Sequence, residues 1–423
     1  MKDYVRILRY RDYRLLWSGA TISSLGDGAT WTALAWLAIT QGGAAAAGVL
    51  AICYTFPVIA GGTFIGPMID RFSRRHLLVF DSVLRAIVVA SVPLVAATGH
   101  VGLWQLDLVA ATYGLLKIVP LGAVPAVVPD LVDKKLIHTA AGLESIGFEG
   151  AQMAGPAIGG LLIAVWSAPT VLLLDAITYL IFAGCVLAMK SKLPRPESSG
   201  SGNVGGLLKN FGWGPVFRLL RKDSVLLGIT ASFALYNAAM GMLRVTQPWL
   251  AADKLTGGAT ILGIILGVAN GAGLIGSVLA GAIRPRDRHM RNIGLFQVAA
   301  GLGLAFMFLP TLWAVVIAMV ISNVFSAPMT VQSQVLRVSR TPADLRGRMM
   351  TFMRTLMNST SPGGAAVAAP LLAAGRYFPV IAIMVTAAVL PGLFIAFSFR
   401  KTSFSEELGL APSAVAEPSP AKT

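Results

Sequence analysis

Apolar stretches of about 20 residues or more recur along almost the whole chain, separated only by short polar punctuation, and this rhythm leaves few folds open. A segment that long and that free of charge belongs in hydrocarbon, where each backbone amide must find its partner inside the same helix. The stretches fall roughly at 15–40, 46–69, 76–97, 104–128, 136–165 and 170–190. A second series follows at 223–251, 259–283, 291–309, 312–337, 348–374 and 379–399. The chain therefore reads as an all-α integral membrane protein with 12 transmembrane helices, six plus six. With 55% apolar and only 13% charged residues, a soluble globule, a coiled coil and a disordered chain are excluded. The first stretch carries Asp27, is too long for a signal-peptide core and lacks a small-residue cleavage site, so no cleaved targeting segment is expected.

A formal net charge of +15 would point to nucleic acid in a soluble chain, so its placement decides its meaning. Of the 34 Lys and Arg, only Lys254 and Arg376 fall in one alternate set of connections. Arg85, Lys117, Arg244 and Arg354 fall inside apolar stretches, and all the others lie in the opposite set of connections or in the two tails. The positive-inside rule then puts both termini and the long middle connection in the cytoplasm. The expected organisation is a basic interfacial segment at 1–14, a six-helix bundle at 15–190, a cytoplasmic linker at 191–222, a second bundle at 223–399 and a disordered tail at 400–423. The stretch Tyr4 to Tyr10 reads either as a short helix lying on the anionic membrane surface or as a simple basic anchor. Partners are the lipid bilayer and a small-molecule substrate, not nucleic acid, and a monomer is expected.

Catalytic and metal-binding signatures are missing. Cys53 and Cys185 sit far apart in apolar stretches, and the four histidines lie at or near stretch ends, so no zinc or disulfide spacing exists. Neither a Walker loop nor a nucleophile elbow occurs. An enzyme is not expected, nor a cofactor; a chain that moves solutes without ATP draws on an ion gradient.

The two series of stretches also match one another. Leu8 to Leu16 aligns with Leu219 to Leu227 at an offset of 211, Gly62 to His76 with Gly276 to Met290 at 214, and Pro129 with Pro342 at 213. A near-constant offset argues for a duplicated unit, and six helices per copy make it a parallel repeat about an axis along the membrane normal.

Two motifs carry a resemblance. Between stretches two and three, Gly66-Pro67-Met68-Ile69-Asp70-Arg71-Phe72-Ser73-Arg74-Arg75 has the spacing G-x-x-x-D-R-x-x-R-R, which is similar to motif A of the Major Facilitator Superfamily. Stretch five contains Gly147, Gly155, Pro156, Gly159 and Gly160 in the pattern G-x(7)-G-P-x-x-G-G, which resembles motif C of drug-exporting members. Three further segments resemble the third drug:proton antiporter family, which includes macrolide and enterobactin exporters: Arg11 to Trp17 with Ser23 to Asp27, Val124 to Val132, and Leu345 to Met349. The resemblance implies two six-helix bundles and alternating access. It also implies a conformational latch of Gly66, Asp70, Arg71, Arg74 and Arg75 meeting stretch eleven, where Arg354 is the matching candidate. The second-half copy of motif A has Arg284 where Asp70 would fall, and the motif B arginine is replaced by Lys117 in stretch four.

Ionisable residues at membrane depth are costly unless paired or facing water, so each is a site candidate. Asp27 and Lys117 lie near the midpoints of stretches one and four, which line the central cavity in the resembled fold; they are expected to face each other, as a toggling pair or a static ion pair. Glu149 and Glu144 are further proton-coupling candidates, although five positions put them about 140° apart around a helix. A permanently protonated, hydrogen-bonded Glu149 is the alternative. Arg244, with Asn237 and Gln247, reads as a substrate contact or as a side chain snorkelling to the interface. Asp81 and Arg85 read as a local i, i+4 ion pair, and Asp107 and Asp175 as water-accessible groups near stretch ends.

These features lead to a proton-coupled exporter of amphipathic small molecules such as macrolides. The alternatives are an exporter or flippase of a specific metabolite, such as a siderophore or lysophospholipid held by Lys117 and Arg244, and a non-transporting membrane sensor. The excess of Arg over Lys with abundant Ala and Gly suits a bacterial source and an inner or plasma membrane.

Overall fold

The computed structural model describes residues 6–71, 73–99, 101–133, 136–191, 213–282, 289–342 and 345–399, with the backbone alone over 59–71. The middle segment from Pro194 and the tail after Lys401 lie outside the described residues, as does Arg284. Within them the chain is helical, with no strand. Fourteen α-helices follow in order: α1 (Arg11–Arg71), α2 (Arg74–Thr98), α3 (Leu103–Leu116), α4 (Ile118–Leu131), α5 (Ile137–Val165), α6 (Ala168–Ala188), α7 (Trp213–Lys222), α8 (Ser224–Asp253), α9 (Gly258–Ala282), α10 (His289–Leu304), α11 (Leu312–Ser339), α12 (Arg346–Asn358), α13 (Thr360–Ala373) and α14 (Tyr377–Ser398). Among the described residues, ten helical segments are long and apolar enough to cross a membrane.

The departures from the apolar rhythm have local causes. Stretches one and two form one helix, α1, that changes direction at Gly43, whose φ of 63° and ψ of −159° lie where only glycine is unstrained. Stretch four is interrupted at Lys117, between α3 and α4. Pro120 follows three residues later and offers no amide to the carbonyl of Leu116, so the helical ladder is weakened at membrane depth. Stretch eleven is likewise broken at Ser359, just before Pro362. The end of the expected linker is the short helix α7, whose Val216 and Leu220 are buried and whose last turn carries Arg221 and Lys222. Of the amino-terminal segment, Arg6 and Ile7 are helical and lead into a turn, with Arg9 N donating to Arg6 O and Tyr10 N to Ile7 O. Its Ile7 is fully buried among Tyr13, Leu77 and Leu131, so the segment docks on the helices.

One end of the molecule carries the basic connections; the other carries Gly43 and the turns near 99–102, 166, 255 and 375. We call them the basic end and the far end. Within the first half of the chain α1 packs on α3, α5 and α6, and α2 on α6; within the second, α11 packs on α9 and α10, α10 on α14, and α8 on α13. The halves meet where α5 lies on α9 and where α1 lies on α13 and α8. These meetings are close because small residues face each other. A Cβ on Gly160 would stand 2.5 Å from Ala259 O, one on Gly263 2.7 Å from Pro156 O, and one on Gly48 2.3 Å from Ala369 Cβ.

Capping fixes the basic end. Asp223 accepts from the amides of Val225 and Leu226 at the start of α8 and pairs with Arg340 Nε at 2.7 Å. Asp12, its aligned counterpart, instead reaches across to the end of α6, where its Oδ2 accepts from Lys190 N, Ser191 N and Ser191 Oγ at 2.5 to 3.0 Å.

Candidate functional site

Four charged side chains are buried at membrane depth in the first half: Asp27 on α1 (7% exposed), Asp81 and Arg85 on α2 (2% each) and Asp175 on α6 (1%). Arg85 joins Asp27 and Asp81. Its Nη1 lies 3.4 Å from Asp27 Oδ1 and its Nε 3.3 Å from Asp81 Oδ1. Tyr179 OH donates to Asp27 Oδ1 at 2.5 Å, and Tyr113 OH donates to the Asp27 backbone carbonyl at 2.9 Å. The guanidinium also sits over the rings of Tyr179 and Tyr113, 5.4 and 5.7 Å from their centroids. One cation shared between two carboxylates is the arrangement that keeps ionised groups tolerable in a low-dielectric interior. Arg85 Nη2 is nonetheless buried without a hydrogen-bond acceptor.

Asp27 therefore does not pair with Lys117 as expected. Arg85 takes that place because its long planar fork reaches two carboxylates at once, and the expected local pair of Asp81 with Arg85 is one limb of a network spanning helices. Asp175 is not water-accessible either. Its carboxylate accepts from Thr30 Oγ1 at 2.5 Å and Thr178 Oγ1 at 2.8 Å, and it presses on the bare Cα of Gly26, where an added Cβ would stand 1.9 Å from Asp175 Oδ1.

A cavity of about 230 Å³ opens beside this network, towards the basic end. Its wall includes Asp27, Asp81, Arg85, Lys117, Glu144 and Glu149. Both glutamates line it, although their five-residue spacing puts them about 140° apart around α5. Lys117 Nζ lies 6.0 Å from the ring centroids of Tyr54 and of Tyr113 and makes no ion pair with the carboxylates among the described residues. Arg244 on α8 reaches across from the second half to Tyr54 and Trp31, at 5.8 and 6.0 Å. Neither companion joins it: Asn237 donates to Phe233 O on its own helix and Gln247 is buried against Met319 Sδ.

The motif C residues divide between two partners. Gly147, Gly155 and Gly159 face α1, where a Cβ would come within 2.5 to 2.6 Å of Thr21, Leu25 and Ala29, and Pro156 abuts Gly28; Gly160 faces α9. Of motif A, Arg74 Nη1 donates to Ala126 O at 2.6 Å and pairs with Asp130 at 3.3 Å, and Arg75 donates to Leu187 O. Both tie α2 to neighbours in the same half. Arg354 is exposed on α12, while Gly66 is described by its backbone alone and the side chains of Asp70 and Arg71 lie outside the described residues. No group of three potential metal ligands occurs among the described residues.

Residues 16–365 match the sequence profile of the Major Facilitator Superfamily. The multidrug efflux pump Tap of Mycobacterium tuberculosis is 27% identical over 414 residues, 93% of this chain and 94% of Tap. An MFS-type transporter of Sinorhizobium fredii, y4rN, is 25% identical over 344 residues, 76% of this chain and 79% of that protein. Among solved structures, the peptide transporter POT superimposes with a TM-score of 0.72 at 12% identity, covering 92% of this chain and 94% of that one, which speaks to the fold. Profile, relatives and fold agree: the chain is a multi-pass membrane protein and belongs to the Major Facilitator Superfamily.

Proposed function

We propose that this transporter exports amphipathic small molecules in exchange for protons. It would work by alternating access of two six-helix bundles, residues 15–190 and 223–399, through 12 spans with both termini cytoplasmic in a bacterial plasma membrane. The observation that carries the reading is the Asp27–Arg85–Asp81 network lining a cavity at membrane depth. Asp27 shares one cation with a second carboxylate, so adding or removing a proton, or seating a cationic substrate, changes which charges Arg85 must balance. Glu149 and Glu144 extend an acidic wall from the network towards the basic end and offer a proton path. The resemblance to the third drug:proton antiporter family and the similarity to Tap favour efflux. In this reading the motif C glycines let α5 roll against α1 and α9, and motif A with Arg354 latches the basic end. No cofactor is required: one proton crossing 100 mV supplies about 2.3 kcal/mol, roughly a 50-fold gradient of a neutral solute.

The test is proton movement reported by a pH-sensitive dye in everted vesicles, on addition of macrolides or lipophilic cations. Substrate-triggered proton efflux that Asp27→Asn abolishes supports antiport through Asp27. A response that survives moves the coupling role to Glu149 or Glu144, and counterflow without proton movement makes the protein a facilitator.

A further inference from the structure

Pro156 lies inside α5 and has no amide hydrogen to give the carbonyl of Gln152, one turn before it. At membrane depth such a carbonyl needs a donor from elsewhere. It finds one in the opposite half of the chain: Asn270 Nδ2, near the middle of α9, donates to Gln152 O at 2.7 Å. Every hydrogen bond given above stays within one half, whereas this one crosses between them. Prolines inside other helices attract nothing of the kind. Among the described residues, the carbonyls that Pro93, Pro248, Pro328 and Pro391 free in their own helices receive no side-chain donor.

The remaining contact between α5 and α9 is made by small or apolar groups. A Cβ on Gly267 would stand 2.9 Å from Ala157 Cβ and one on Gly271 3.1 Å from Met153 Sδ. Contacts of this type set how close two helices come, through many weak attractions without angular preference. Asn270 follows Gly263 by about two turns, on the same face of α9. It stands at the basic-end margin of the seam, since a Cβ on Gly150 or on Gly273, farther towards that end, would meet no atom within 4 Å. A hydrogen bond, unlike the glycine contacts, weakens steeply with distance and angle. It is therefore satisfied in one register of α5 on α9 and lost once the helices roll.

We infer that Asn270 is a positioning residue: by taking the carbonyl that Pro156 leaves free, it fixes the register of α5 on α9 and holds the halves in the conformation whose cavity opens to the basic end. The inference rests on the alternating-access part of the proposed function and requires neither a particular substrate nor proton coupling. The glycines of the seam permit movement, and Asn270 sets where the movement rests. Pro156 thereby acts on both halves, since the break it makes in one helix is the acceptor by which the other is held.

The test follows the distance between two spin labels at the far end by pulsed electron paramagnetic resonance, with the full chain in nanodiscs. The labels sit on Ala97→Cys and Ala374→Cys, both exposed positions, in a Cys53→Ser, Cys185→Ser background. The parent is expected to show mainly a short distance, with a longer one as the minority. Interhelical polar contacts in membranes correspond to about three- to twenty-fold in an equilibrium, so Asn270→Leu should raise the long-to-short ratio at least three-fold. Asn270→Ala should do the same, because it also loses the donor while changing side-chain volume in the opposite sense. In a Pro156→Ala background the amide at position 156 is restored and satisfies Gln152 O, so neither Asn270 substitution should add to the ratio. A ratio unchanged in both Asn270 variants, a shift in only one of them, or an equal shift with and without Pro156→Ala overturns the inference and leaves alternation standing. A single fixed distance in the parent and in every variant overturns the inference together with the alternating-access reading.

Discussion

The two halves of the chain are built from helices in matching order, but their interiors differ in kind. The first buries Asp27, Asp81, Arg85 and Asp175; among the described residues of the second, the buried polar side chains are chiefly neutral, such as Ser232, Gln247, Gln297 and Ser322, with His289 near the basic end. Gln297 illustrates the difference. It accepts from Ser232 Oγ at 2.7 Å and donates to Ala388 O at 3.1 Å, so α10 is bonded to α8 and α14 by groups whose charge never changes. In the first half the same task of joining helices falls to Arg85 and its carboxylates, groups that carry charge. Matching helix order constrains packing while leaving the chemistry of each interior free to diverge.

The strongest way to break this comparison is to remove the shared cation. Arg85→Met leaves two buried carboxylates without a partner and should cost about 3–5 kcal/mol, whereas Gln297→Leu should cost about 1–3 kcal/mol through its stranded partners. Thermal unfolding in nanodiscs measures both, and the triple variant Asp27→Asn, Asp81→Asn, Arg85→Met should recover most of the first loss. Equal effects from the two single substitutions would remove the distinction. Next in size is the seam between the halves. Gly160→Leu drives a side chain into Ala259 and Gly263 and should abolish most transport; folded yield by size-exclusion chromatography should fall much less, because each half keeps its own core.

The basic-end aspartates sharpen the contrast at a smaller scale. Asp223→Ala loses two caps and an ion pair, Asp12→Ala three donors at the end of α6, and each should cost about 1–2 kcal/mol. Only the Asp12 variant should loosen the link from α6 to the next segment, read as faster amide exchange at Lys190 and Ser191. The smallest effect concerns Tyr10, whose hydroxyl donates to Asp133 Oδ2 at 2.6 Å. That bond, and the negative charge behind it, hold the phenol above its ordinary titration range. Its stabilisation is therefore complete below the unfolded tyrosine value of about 10 and disappears as pH rises through the higher folded value. Tyr10→Phe should cost a small amount of stability at neutral pH, through the lost bond, and should flatten the further decline that the wild type shows above about pH 10, as followed by thermal unfolding across that range.

Much of the architecture is legible in the sequence because hydrocarbon imposes a length and a polarity on every helix, and because motif C marks, residue by residue, where backbones touch. The partners of buried charges are not legible in the same way. Sequence spacing reveals Asp81 and Arg85 as neighbours on one helix, but the third member, Asp27, is 58 positions away and is found only once α1 and α2 are packed. The rings of Trp31, Tyr54 and Tyr113, which meet Lys117 and Arg244, likewise come from separate helical segments, each contributing one ring that reads as ordinary membrane aromatic content. Asp175 misleads for the opposite reason: its position near a stretch end suggests water, while Thr30 and Gly26 on another helix seal it.

The turn at Gly43 has a mechanical meaning. A single residue joins the segment bearing Asp27 and Trp31 to the segment bearing Gly48 and Tyr54, so the connection has no slack to absorb displacement. The first segment carries the charged network and the second rests on the opposite half, where Gly48 meets Ala369, so one glycine sets the angle between the buried charges and the seam.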